Sequence, residues 1–112
     1  FASDDFLTVN TITQTTTLGS NATYLVIIKN IGNETDTFNL SAINPDNASV
    51  ASLNRSKITL DAGQSGMVIL NVTDDFITGP YSVLVNVTSQ TTGLSKEVET
   101  ITAVVEEWEG EE

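Results

Sequence analysis

Short segments rich in Val, Ile and Thr recur along the whole of this 112-residue chain, and nowhere does apolar character return every third or fourth residue. The segments are Phe6–Thr13, Ala22–Ile31, Asp36–Ala42, Ser49–Leu53, Lys57–Leu60, Gly66–Thr73, Tyr81–Ser89 and Lys96–Val105. Turn signals fall between them: Leu18-Gly19-Ser20-Asn21, Ile31-Gly32-Asn33, Asn44-Pro45-Asp46-Asn47, Asp61-Ala62-Gly63, Thr78-Gly79-Pro80 and Thr92-Gly93. β-branched residues favour pleated backbone, and strands so short and closely spaced close a core by stacking two sheets. The expectation is an all-β, antiparallel β-sandwich of seven or eight strands with no substantial helix. A chain of this length holds one domain, read as residues 1–105, with 1–13 as a candidate donor strand or arm and 106–112 as an acidic tail or linker.

The order of these segments also carries a resemblance. Tyr24-Leu25-Val26-Ile27-Ile28-Lys29-Asn30-Ile31-Gly32-Asn33 is followed by Thr37-Phe38-Asn39-Leu40. Then come Leu60-Asp61-Ala62-Gly63-Gln64-Ser65, Val68-Ile69-Leu70-Asn71-Val72 and Gly79-Pro80-Tyr81-Ser82-Val83-Leu84-Val85. Over about residues 20 to 90 this resembles the CARDB-like, immunoglobulin-like modules of archaeal and bacterial surface proteins. It includes an Asn-x-Gly corner, a Leu-x-Ala-Gly-x-Ser turn and a Gly-x-Tyr-x-Val-x-Val strand. The resemblance implies an immunoglobulin-like sandwich used as adhesion, spacer or scaffold, and brings no catalytic residues with it. The acidic end Glu106-Glu107-Trp108-Glu109-Gly110-Glu111-Glu112 departs from the pattern.

Charge and missing residue types narrow the function classes. Fifteen Asp and Glu stand against four Lys and Arg, a net charge of −11, which repels phosphate backbones and anionic lipid. With no histidine and no cysteine there is no Ser-His-Asp or Cys-His nucleophile, no ordinary zinc site and no disulfide staple. The expectation is a chain that is not an enzyme. Calcium is the one candidate cofactor, because hard cations take oxygen ligands and Asp46, Asp74 and Asp75 lie in turn segments, although no EF-hand spacing is present. The chain starts at Phe1 rather than Met and has no run of 18 apolar residues, so it reads as a processed chain or a piece of a longer one with no membrane insertion of its own.

The motif Asn-x-Ser/Thr, which marks N-glycan acceptors, occurs at Asn21, Asn33, Asn39, Asn47, Asn54, Asn71 and Asn86, and Pro45 excludes Asn44. Seven of ten asparagines qualify, and 27 Ser and Thr among 112 residues would give only about 2.4 by chance. Acceptors must reach solvent, and in the segments around Asn39, Asn71 and Asn86 the asparagine is out of phase with its apolar neighbours, on the side away from a core. Many such motifs with no cysteine point to a glycosylated extracellular surface, most simply an archaeal one.

One pattern resists an ordinary sandwich. In the second segment Tyr24, Val26 and Ile28 make one apolar face, and Leu25 and Ile27 make the other equally apolar. Placing Asn71 outward also sends Met67 and Ile69 outward. Neighbouring strands in an immunoglobulin-like topology would merge Leu25, Ile27, Met67 and Ile69 into one external patch, covered by the first strand, a terminal arm, glycans or a partner. The candidate contact residues are therefore these four, with Phe6, Leu7 and Val9 of a donor arm and Trp108 in the acidic end. The function read from this pattern is a self-associating building block of an extracellular filament, surface layer or stalk, whose partners are copies of itself or neighbouring surface domains. The competing reading is an adhesion or ligand-binding module for carbohydrate or calcium.

Overall fold

The computed structural model describes residues 7–9 and 11–106 and contains no helix among them. Nine strands form two sheets: β1 (Leu7–Val9), β2 (Thr13–Thr17), β3 (Ala22–Lys29), β4 (Asp36–Ile43), β5 (Val50–Leu53), β6 (Lys57–Leu60), β7 (Ser65–Thr73), β8 (Gly79–Ser89) and β9 (Ser95–Val105). Sheet one has the order β1-β3-β7-β5, and sheet two the order β2-β9-β8-β4-β6. The all-β sandwich is as expected. Period-2 alternation drives it: Tyr24, Val26 and Ile28 of β3 and Val68, Leu70 and Val72 of β7 face Val83, Val85 and Val87 of β8, all nine with essentially no exposure. Each such aliphatic side chain contributes roughly 1.5–3 kcal/mol by leaving water. Inward hydroxyls are satisfied where they occur: Tyr24 Oη donates to the Ile101 carbonyl at 2.9 Å and lies 2.8 Å from Thr102 Oγ1, and Thr100 Oγ1 donates to the Val83 carbonyl at 2.9 Å.

The count of nine corrects the expected seven or eight, and the difference lies at the start of the chain. The segment Phe6–Thr13 is not one strand. Its first part, β1, pairs antiparallel with β3 in sheet one, with Leu7 opposite Ile28 and Val9 opposite Val26. The chain then crosses to the other layer, where β2 runs parallel to β9, with Thr13 opposite Ile101 and Thr17 opposite Val105. The sequence Thr-Gln-Thr-Thr-Thr has no apolar contrast to announce a strand. Its β-branched backbone preference, Thr16 buried at the sheet edge and a 2.6 Å bond from Gln14 Nε2 to the Thr23 carbonyl hold it there.

The strand registers also fix two ends. The upper end carries the loops at 30–35, 61–64 and 90–94, and the lower end those at 18–21, 44–49 and 74–78. At the upper end the Asn-x-Gly corner and the Leu-x-Ala-Gly-x-Ser turn latch to each other through one buried residue, Asn30. Its Nδ2 donates to the carbonyls of Glu34 (2.8 Å) and Leu60 (2.9 Å), and its Oδ1 accepts from Gly32 N–H (2.9 Å). Its backbone bonds Gln64 and Gly63, and Gly63 sits at φ +80°, where a side chain would be strained.

Candidate contact face and sequon sites

The outer face of sheet one brings the expected patch together. β3 and β7 are neighbours in a register that sets Leu25 opposite Ile69 and Ile27 opposite Met67, so the four side chains form a two-by-two block. Leu25, Ile27 and Ile69 are half-buried, while Met67 is 59% exposed. Thr8 of β1 lies beside Ile27, Lys29 and Ser65 bound the block above, and Thr23 and Asn71 bound it below.

The candidate arm is described only in part, at Leu7–Val9 and from Thr11 onward. Leu7 and Val9 are half-buried and pack against the chain's own core from the edge of its own sheet, so β1 neither covers the outer block nor stands free. An inward parity fixes this, since residues opposite Ile28 and Val26 share their face. Phe6 and Trp108 lie outside the described residues.

Every sequon asparagine reaches solvent: Asn21, Asn33, Asn39, Asn47 and Asn54 are exposed, and Asn71 and Asn86 are half-exposed in the middle of β7 and β8. Their amides share a polarity. Where one is held it is by Oδ1, which accepts from Thr73 Oγ1 at Asn21, Gln90 Nε2 at Asn39 (2.9 Å), Ile69 N–H at Asn54 (2.9 Å), Thr23 Oγ1 at Asn71 (3.0 Å) and Thr88 Oγ1 at Asn86 (3.2 Å). Asn30 and Asn44, which lie outside the motif, instead use Nδ2 as an internal donor. N-glycans attach through Nδ2, the atom that these five bonds do not use.

The calcium candidates do not converge. Asp74 Oδ1 accepts from the N–H and Oγ of Ser49 (2.9 and 3.0 Å) and its Oδ2 from the N–H groups of Phe76 (3.0 Å) and Ile77 (2.7 Å). With all four bonds made within its own end of the sandwich, this carboxylate organises a loop. The backbone N–H bonds of Ile77 and then Phe76, reinforced by Ser49, outweigh burial and pull its pKa to about 2. Asp46 Oδ2 accepts from Ser82 N–H at 2.8 Å, Asp75 is exposed, and no group of three or more His, Cys, Asp or Glu gathers among the described residues.

Two features went unread in the sequence. Phe76 and Ile77 stand 81% and 67% exposed at the lower end, on the loop that Asp74 ties. At the upper end a cavity of about 170 Å³ opens between Ile31, Phe38 and Leu94, with Asn33 at its lining. Beneath it Asp36 accepts from Ser89 Oγ at 2.5 Å and from Thr91 N–H at 3.1 Å. Burial pushes the Asp36 carboxyl up, but the bonds from Ser89, Thr91 and Thr37 outweigh it, and the group lies below its usual value. A pair of large apolar residues between Asp74-Asp75 and Thr78-Gly79-Pro80 was the available signal for the exposed Phe76 and Ile77.

No family model matches this chain, and no curated protein matches it. Solved structures do. The chain is similar to a FixG-related protein from Vibrio parahaemolyticus (TM-score 0.62, 15% identity, 75% of this chain and 78% of that one). It is also similar to a chain of the chaperone–tip adhesion subunit pre-assembly complex of the Csu pili of Acinetobacter baumannii (TM-score 0.55, 8% identity, 90% of this chain and 57% of that one). A third is the S-layer protein SbsC, domains 4 and 5 (TM-score 0.55, 25% identity, 88% of this chain and 44% of that one). The chain thus spans about half of the pilus and S-layer chains it matches. These likenesses place the fold among β-sandwich proteins. No helix of the described residues is long and apolar enough to cross a membrane.

Proposed function

We propose that this chain is a non-catalytic structural module of an N-glycosylated extracellular surface, of the archaeal kind, which associates with copies of itself through the outer face of sheet one. The observation that carries the reading is the Leu25, Ile27, Met67 and Ile69 block: four aliphatic side chains in register on a strand pair whose other face already makes the core. Burial of such a block is the ordinary driving force of protein association, and acceptor asparagines at Asn54 and Asn71 border it. The likeness to S-layer domains and to the pilus assembly supports a surface-structure role, as does the sequence resemblance to CARDB-like modules. An adhesion or ligand-binding module is the second reading. It draws on the upper cavity, whose volume of about 170 Å³ is small for a site that encloses a ligand.

Light scattering behind size exclusion, with negative-stain microscopy of the largest species, tests the proposal. Regular multimers are expected from the purified chain, and the pair of changes Ile27→Lys and Met67→Asp is expected to return it to a monomer with its sheet spectrum intact. A chain that stays monomeric at millimolar concentration overturns self-association.

A further inference from the structure

Two of the acceptor motifs are folded onto each other. Asn21-Ala22-Thr23 and Asn71-Val72-Thr73 run antiparallel in β3 and β7 and the residue before them, with Ala22 opposite Val72 and Thr23 opposite Asn71. Each motif's hydroxyl is held by the other motif's amide: Thr23 Oγ1 donates to Asn71 Oδ1 at 3.0 Å, and Thr73 Oγ1 donates to Asn21 Oδ1. Thr73 is 3% exposed, and β5 pairs the far side of Asn71, Val72 and Thr73.

Transfer of a glycan forms a bond from asparagine Nδ2 to the anomeric carbon of a lipid-carried oligosaccharide. The anomeric carbon–oxygen bond to the carrier phosphate breaks, the phosphate leaves with the electron pair, and an amide proton passes to base. Because the amide lone pair is delocalised into its carbonyl, a transferase must grip both the amide and the hydroxyl two residues on, which is why the motif ends in Ser or Thr. In the closed sheet both hydroxyls of this pair are already engaged, and the Asn71 motif is laddered on two sides. Releasing it requires opening central strands, which costs close to the whole of the folding free energy. By contrast Asn33-Glu34-Thr35 and Asn54-Arg55-Ser56 lie exposed between strands, and the bonds they make, Thr35 Oγ1 to Asp61 Oδ1 (3.0 Å) and Asn54 to Ile69, lie at the surface and open without separating central strands.

We infer that Asn21 and Asn71 are a crossed pair of N-glycosylation sites that accepts oligosaccharide only before sheet one closes, and that tolerates it afterwards. Tolerance follows from the same geometry: transfer replaces a hydrogen on Nδ2 and leaves each Oδ1 to keep its hydroxyl bond. The inference rests on the proposal that the sequons are used.

The test presents the full chain, made without glycan, to an oligosaccharyltransferase with a lipid-linked oligosaccharide, in two forms: folded wild type, and the double variant Val26→Asp/Val68→Asp. That variant keeps every sequon and buries two unpaired charges, so it is unfolded, as checked by circular dichroism. Site occupancy is read by glycopeptide mass. In the folded chain transfer at Asn71 is expected to be slower than in the variant by about a hundredfold or more, while Asn33 and Asn54 change by about twofold or less. Equal transfer at Asn71 in both forms overturns the inference and leaves glycosylation standing. No transfer at any sequon of the unfolded variant overturns the glycosylation reading, and this inference with it. The chain from a secretory host is expected to carry sugar at both Asn21 and Asn71 and still melt cooperatively; a doubly modified chain that cannot fold overturns the tolerance.

Discussion

Asparagines at different positions of this chain do opposite work, and strand parity separates them. Asn30 continues the inward series Tyr24, Val26, Ile28, so its burial was legible, but the two carbonyls it serves come from loops that only the fold brings near. Asn71 is out of phase with Leu70 and Val72 and points outward, as its parity requires. The partners Thr23 and Thr73 were not legible, because they depend on which strands become neighbours. Replacing Asn30 by alanine leaves a buried carbonyl without a donor and unlatches two loops. The expected loss is about 2–3 kcal/mol, with a melting temperature lower by about 10–15 °C in a thermal melt. Asn33→Ala, in an exposed loop, should change it by less than about 0.5 kcal/mol.

Among the elements, alternation of apolar and polar residues located β3, β4, β7, β8 and β9 to within a few residues, because each has one buried face. β2 escaped because threonine and glutamine give the same signal on both faces, and its partner β9 is the last of the described strands. The loop after β7 shows a related limit. Adjacent carboxylates are visible in the sequence, but the donors that engage Asp74 (Phe76 and Ile77 of its own loop, Ser49 of the neighbouring one) are fixed by the fold. This loop should respond to acid. A carboxyl held near pH 2, against 3.8 in its ordinary state, contributes stability that is complete above about pH 4 and lost as pH falls toward 2. Asp36 is shifted in the same direction and acts with the same sign. Urea melts at pH 7, 4, 3 and 2 should show wild-type stability falling through this window, and Asp74→Asn should be less stable at pH 7 with a shallower fall. An equal slope in both would remove Asp74 from the acid response.

For the whole molecule, sequence gave the sandwich class but left strand order, and therefore the outer block as a block, to the topology. Of the net charge of −11, the described residues carry −5, nine Asp and Glu against four Lys and Arg, on a body measuring 51 × 25 × 21 Å. At about 0.01 M salt the screening length of roughly 30 Å exceeds the two shorter dimensions, so most charges repel one another across the molecule. At 1 M it is about 3 Å. The melting temperature is therefore expected to rise by about 5 °C or more between these conditions, and a flat response would mean that the acidic groups are locally compensated. The crossing of the chain from β1 to β2 has a mechanical side. Leu7 lies by the upper end of β3, and Val105 ends β9 at the lower end. A pull applied between them draws β2 upward against β9 drawn downward. Because those two strands are parallel, their five paired positions are sheared together instead of being peeled apart one at a time. Tension along the long axis thus meets the seam between the first and last strands of sheet two as a single resistance.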